Sequence, residues 1–174
     1  MYYLIIFLSV WFYFRYLGPL IITFKKTSSL STKPTKAYGK AACWDVYSTE
    51  RVVIPVGCWK EVSFGIIIAP WLHFYIPFFN LTLTPLGNIA CKIHTRSGLA
   101  IKKGIRNHLG IIDNDYRKEL TAVMYNNGAF PVIIKPGDKI AQLEFYRVPA
   151  SCMIEVKKVS NSERGERGHG SSGK

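Results

Sequence analysis

The chain has 174 residues, 48% of them hydrophobic, and a formal charge of +12 from 23 Lys+Arg against 11 Asp+Glu. This composition supports a packed core and excludes general disorder, and the length fits one domain with tails. The basic excess points to a polyanionic partner (nucleic acid, a membrane surface or a phosphorylated small molecule) without choosing among them.

Residues 1–24, MYYLIIFLSVWFYFRYLGPLIITF, are apolar and aromatic except for Arg15, and Lys25 and Lys26 follow. Their length is near that needed to cross a bilayer, although Arg15 and the Gly18-Pro19 pair interrupt the run. No basic residue precedes the run and no small-residue cleavage site follows it, so a cleaved secretory signal fits poorly. Two readings stay open. The segment is a membrane anchor with the remaining chain in the cytoplasm, or an extension foreign to the working protein. Residues 25–35, rich in Ser, Thr and Lys, read as a linker.

From about Lys36 to Val159 the chain is a series of short β-rich runs: RVVIPV, LTLTPL, NIACKIH, LTAVMY, FPVIIK, KIAQLEFYRV and CMIEVKKV. Gly, Pro and Asn separate them, and helical periodicity is nearly absent. That is the pattern of an antiparallel sandwich or barrel. The stretch Ile66–Phe79 is too apolar for a loop of a small β domain; a buried strand, a membrane-contacting loop and sequence foreign to the mature chain all stay open. Cys43, Cys58, Cys91 and Cys152 show neither CxxC nor zinc spacing, so buried reduced thiols are expected. Residues 160–174, SNSERGERGHGSSGK, are too polar to pack alone and form either a passive end or a lid over an anionic ligand.

Several polar islands carry chemistry. TRSGLA offers the guanidinium of Arg96, the hydroxyl of Ser97 and the unhindered amide of Gly98. PGDKIAQLE is a turn entering a strand, with Gln142 as an amide donor. GIIDNDYRKEL sets Asp113, Asp115 and Tyr116 after two isoleucines; Asp-Asn-Asp is good turn chemistry between strands. Arg164, Arg167 and the glycines and serines of the tail suit a polyphosphate.

Taken in order, AACWDVYS, TRSGLA, NHLGIIDNDYR, GDKIAQLEFYRV and RGERGHGSSGK resemble the five motifs of the trimeric dUTPase family, from about Lys36 to Lys174. The resemblance implies an all-β, distorted antiparallel jelly-roll-like barrel over residues 36–159, assembled as a homotrimer with shared sites. It implies hydrolysis of dUTP to dUMP and pyrophosphate, with Mg2+ on the triphosphate, in the cytoplasm or nucleus. Such an enzyme limits uracil in DNA and supplies dUMP. The family joins its strands across Ile66–Phe79 with fewer residues, which is why that region is expected to be dispensable.

Residue by residue, Asp113 matches the Asp that holds and deprotonates the attacking water. Tyr116 matches the Tyr that packs on deoxyribose and excludes a 2′-hydroxyl. Asn107, Gly110 and Ile112 fall in the hairpin that reads uracil, with Ile111 and Ile112 as apolar walls. Arg96, Ser97, Gly98 and Gln142 match phosphate contacts, and Asp45 matches the Asp that meets the metal indirectly, through water. Arg164, Gly170, Ser171 and Ser172 match tail contacts to phosphate. His169 stands where a Phe stacks on uracil. Further departures are Cys43 for Gly, Trp44 in an aromatic position, Thr95 for Pro and Lys118 for Gly. The alternatives are a low-activity binding or signalling derivative and the related dCTP deaminase branch, which the Asp-x-Asp-Tyr-Arg hairpin fits less well.

Overall fold

The computed structural model describes residues 2–12, 20, 22–69, 74–76, 81–83, 88–108, 110–165 and 167. In chain order the elements are α1 (Tyr2–Phe12), β1 (Thr23–Lys26), β2 (Trp44–Tyr47), β3 (Val52–Ile54), β4 (Trp59–Ser63) and β5 (Ile66–Ala69). There follow β6 (Phe74–Ile76), β7 (Leu81–Leu83), β8 (Asn88–Thr95), α2 (Ser97–Lys103), β9 (Ile105–Asn107) and β10 (Gly110–Ile112). The last three strands are β11 (Thr121–Asn126), β12 (Val132–Ile134) and β13 (Lys139–Val148).

All pairings are antiparallel. The largest sheet runs β10-β8-β13-β2, a second runs β4-β11-β9, and β1-β5, β3-β12 and β6-β7 are two-stranded. Period-two alternation sends one face of strands such as β11 and β12 inward, whereas β1 is exposed throughout. Along β11, Ala122, Met124 and Asn126 are buried while Tyr125 is exposed. Ile54, Val62, Phe64, Ile93, Ile105, Leu120, Met124, Ile134, Ile140 and Leu143 form the core between these sheets. The buried Asn126 is satisfied there, because its Nδ2 donates to the carbonyls of Ile54 and Phe130. The all-β architecture is thus present.

Three boundaries differ from the sequence reading. Residues 25–35 are not a free linker: β1 pairs with β5, and the buried Ser31 donates its hydroxyl to the Gly65 carbonyl at 2.6 Å. Gly65 has φ +64, and a Cβ there would meet Ser31 Oγ at 2.3 Å, so only glycine lets the two segments close. Second, the expected insertion begins inside the core. Ile66 and Ile68 are 1% and 3% exposed, and the Leu120 N–H donates to the Ile66 carbonyl at 2.8 Å. Each such isoleucine contributes about 1.5–3 kcal/mol of burial. Residues 70–73 and 77–80 lie outside the described residues, and 74–76 pair with 81–83 as a hairpin.

Third, the run CMIEVKKV is not a strand. Beyond Val148 the described chain carries no helix or strand, and Met153, Ile154, Val156 and Val159 are exposed. Among the described residues no strand pairs with that segment, so its backbone is unladdered there.

At the other end, α1 is apolar, and its residues from Tyr2 to Val10 and Phe12 are exposed. Its 11 residues extend about 16 Å at 1.5 Å per residue, half the hydrocarbon thickness of a bilayer. Among the described residues no helix is long and apolar enough to cross a membrane. All four cysteines are free, but Cys58 and Cys152 are exposed, against the expectation of buried thiols. Burial pushes the Cys91 thiol up to about 12.

Candidate active site

Asp45 is the centre of one polar cluster. It lies on β2 and is 2% exposed, yet both carboxylate oxygens are engaged. Oδ1 accepts from Gln142 Nε2 at 2.9 Å and faces Arg96 Nε at 3.2 Å, while Oδ2 accepts from Lys139 Nζ at 2.9 Å. Burial alone would raise this carboxyl. The Lys139 and Gln142 hydrogen bonds and the Arg96 charge outweigh it and hold the group below the ordinary carboxylate range. The same bond holds the Lys139 ammonium above its ordinary value.

Each member is placed by local backbone. Arg96 follows the end of β8 in extended conformation (φ −75°, ψ 126°) and caps α2, a short helix that the sequence reading did not foresee. α2 ends at Gly104 with φ +68°, where a Cβ would meet the Gly128 nitrogen at 2.4 Å. Ser97 and Gly98, its first two residues, are exposed, and a Cβ on Gly98 would meet nothing within 4 Å. Among the described residues, none crowds the space beside Gly98 where a Cβ would stand.

Gln142 sits opposite Asp45 in the β13–β2 pairing. Lys139 sits opposite Tyr47, and the register then slips, so that Ala141 opposes Val46 and Ile140 is the extra residue. This bulge puts Lys139 and Gln142 on one face. Lys139 was not among the residues expected from sequence; the turn PGDK was the available signal.

Asn107 is near this cluster. Its N–H donates to Thr95 Oγ1 at 2.7 Å and its Nδ2 to the His94 carbonyl at 3.1 Å, while its Oδ1 is buried without a partner. Thr95, the departure from Pro, thus supplies the acceptor for a backbone donor.

The second cluster is the turn after β10. Tyr116 N–H donates to the Asp113 carbonyl at 3.2 Å, and Arg117 Nη1 donates to the carbonyls of Asn114 and Tyr116 at 2.7 and 2.9 Å. Asp113, Asp115 and Lys118 are exposed, and Tyr116 packs partly against the core. Ile112 also leans on the core but Ile111 is 61% exposed, so the pair does not form two walls of one pocket. Period-two geometry sends neighbours to opposite faces.

The two clusters do not meet through β10. It runs against β8 with Gly110 opposite Ile93 and Ile112 opposite Cys91. Cys91 lies four residues, about 13 Å at 3.3 Å per residue, from Thr95, and Asp113 follows Ile112 away from the Arg96 end. A groove of about 590 Å³ lined by Ile22, Phe24, Trp44, Ile68 and Phe145 holds none of the candidate residues. Arg164 donates through Nε to the Arg167 carbonyl at 3.0 Å, within a turn of the tail itself. His169, Gly170, Ser171 and Ser172 lie outside the described residues.

The sequence profile of the dUTPase family matches residues 30–173. The chain belongs to the dUTPase family. Among relatives named deoxyuridine 5′-triphosphate nucleotidohydrolase, that of Candida albicans is 37% identical over 143 residues, covering 81% of this chain and 80% of its own. That of Paramecium bursaria Chlorella virus 1 is 37% identical over 149 residues, covering 86% and 95%. The solved dUTPase of Staphylococcus bacteriophage 80alpha with dUpNHpp shares the fold, with TM-score 0.73 and 22% identity, over 88% of this chain and 98% of that one. A mutant dUTPase of phage phi11, described with a structural Mg(II) ion, aligns with TM-score 0.66 and 18% identity over 81% and 99%.

In this dUTPase chain no group of three His, Cys, Asp or Glu suited to a metal occurs among the described residues. Asp45 is the one carboxylate of the first cluster, and both its oxygens already accept from protein donors, so these residues do not form a protein cage for a cation; a Mg2+ at this site would need most of its oxygen ligands from elsewhere.

Proposed function

We propose that this dUTPase hydrolyses dUTP to dUMP and pyrophosphate at a site assembled from the Asp45 cluster of one copy and the Asp113 turn of another. The carrying observation is the separation of the two clusters. The phosphate-side residues Asp45, Arg96 and Gln142 gather at one end of β8, while Asp113 and Tyr116 stand beyond the other end of β10. One chain offers two half-sites, and a homotrimer closes them into whole ones. The exposed Met153, Ile154, Val156 and Val159 support such an assembly, since an apolar arm gains by lying on another copy.

In the reaction a water oxygen forms a bond to the α-phosphorus, and the bond from that phosphorus to the α–β bridging oxygen breaks. Asp113 accepts the water's proton, and the leaving pyrophosphate takes the bond's electron pair. Arg96 and Gln142 orient the phosphates, Ser97 and Gly98 add donors, and Arg164 with the tail closes over the triphosphate. Tyr116 covers the sugar where a 2′-hydroxyl would stand. Asn107 and the Gly110–Ile112 backbone face the uracil. Asp45 would meet a triphosphate-bound Mg2+ through water, and such an ion would supply charge neutralisation at the reacting phosphorus. The substrate puts the enzyme with the deoxynucleotide pool, in cytoplasm or nucleus.

Purified protein incubated with dUTP and Mg2+ and assayed for pyrophosphate tests this reading. Ammonia released from dCTP would instead indicate a deaminase, and binding of dUTP without pyrophosphate a signalling derivative.

A further inference from the structure

The Asp45 cluster carries one more cation than its carboxylate neutralises. Arg96 and Lys139 both address Asp45, so two positive charges meet one negative and the net is +1. A structural ion pair needs one cation; a second adds like-charge repulsion and the desolvation cost of a further charge. The two cations are also placed differently from the carboxylate. Asp45 is 2% exposed, whereas the Arg96 and Lys139 side chains are 32% and 38% exposed. Asp45 is the floor and the cations are the rim, so a polyanion arriving from solvent meets the cations first.

Arg96 is held twice, by Asp45 at 3.2 Å and by the Lys139 carbonyl, to which its Nη1 donates at 3.2 Å. The Lys139 ammonium has three donors on a flexible stem. It bonds Asp45 Oδ2 and lies 5.7 Å from the centre of the Tyr47 ring. It reaches this face only because Ile140 bulges from the ladder.

We propose that Lys139 is a further triphosphate-binding residue, which Asp45 holds at the rim of the cluster and which exchanges onto the incoming polyphosphate. This rests on the dUTP reading above. The exchange replaces one charge-assisted hydrogen bond of Lys139 by another, and Arg96 still faces Asp45 Oδ1 when Lys139 leaves. It also frees Asp45 Oδ2 to meet a hydrated cation.

Calorimetric titration of wild type, Lys139→Met, Lys139→Gln and Lys139→Arg with dUpNHpp and with deoxyuridine tests the assignment. The Met and Gln variants should bind dUpNHpp roughly tenfold or more weakly, the size of one lost charge-assisted contact, and bind deoxyuridine as wild type does. The Arg variant should keep most of the dUpNHpp affinity. The salt dependence of dUpNHpp binding should be shallower in Met and Gln than in wild type. Unchanged dUpNHpp affinity, or an equal loss for both ligands, overturns the role of Lys139. Wild-type protein that binds neither ligand overturns the dUTP reading itself, a distinct result.

Discussion

Lys139 and Gln142 donate to the same carboxylate, Asp45, at 2.9 Å each, although they stand three positions apart on one strand. A regular strand sends such residues to opposite faces. The slip between Lys139 and Ala141 restores the phase, and the extra residue, Ile140, is fully buried and anchors the bulge in the core. Core packing and the geometry of the Asp45 cluster are therefore one feature. A regular ladder of the same length, without the slip, would turn Lys139 away from Asp45.

The first prediction concerns acid. Asp45 and Glu119 both titrate below their ordinary values of 3.8 and 4.5, Asp45 despite burial and Glu119 through hydrogen bonds from Ser63 and Thr27. The folded chain therefore binds fewer protons than the unfolded chain just below those values, and acid favours unfolding. Stability from these groups is complete above about pH 5 and falls as pH drops through their folded values. Thermal melts from pH 7 to pH 3 should show Tm declining below about pH 4.5, with a shallower decline in Asp45→Asn. An identical acid limb in that variant would remove Asp45 as a contributor.

Asp113→Asn should lower kcat at least about a hundredfold, because it removes the base and keeps the shape. Asp113 is exposed and belongs to a turn closed by backbone bonds, so folding should be unaffected. Single-turnover assays beside dUpNHpp titration separate the two effects. Near-normal turnover would transfer the base role elsewhere.

Tyr116→Ala should raise the UTP:dUTP ratio of kcat/KM by opening space beside C2′. Tyr116 also packs partly against the core, so a small loss of Tm is expected as well. A ratio unmoved by the substitution would make the steric account of sugar selection wrong.

Ile68→Ala should cost about 2–5 kcal/mol, since Ile68 is 3% exposed and has little room to relax. Deleting Ile66–Ala69 should abolish folding, because β1 would lose its partner and Leu120 its backbone acceptor. The sequence reading expected the whole apolar stretch to be dispensable. Urea titration of both variants checks where the core begins, and a stable Ile66–Ala69 deletion would return these residues to the insertion.

How much was legible follows from which physics local sequence carries. LTAVMY announced a strand because period-two burial is written residue by residue, and KIAQLEFYRV did so by its β-rich composition despite the bulge. The roles of Asp113, Arg96 and Gln142 came from the resemblance, and the gathering of Arg96 and Gln142 on Asp45 is a pairing across β2, β8 and β13. Lys139 was missed because a bulge depends on the partner strand's register, which its own sequence does not state. Helix α2 was missed because seven residues give too few turns for a period. CMIEVKKV misled because β-branched and aliphatic composition supplies propensity but no neighbour to pair with.

The last prediction separates the arm from the tail. Truncation after Val159 should leave the folded assembly and sharply reduce hydrolysis. It removes Arg164, Arg167 and the glycine–serine run but none of the core residues. Truncation after Val148 should do more. It also removes Met153, Ile154, Val156 and Val159, whose exposure is 101%, 78%, 59% and 77% in the single chain. If another copy covers these side chains, burying each contributes up to about 1.5–3 kcal/mol to association. Sedimentation of the two truncations should then show trimer for the first and dissociation at micromolar concentration for the second. Both should keep β-sheet circular dichroism, because the last strand ends at Val148. A trimer undiminished by truncation after Val148 would mean that the arm lies in solvent and that other surfaces join the copies. Full dUTP turnover after truncation at Val159 would strike Arg164 and His169 from the site.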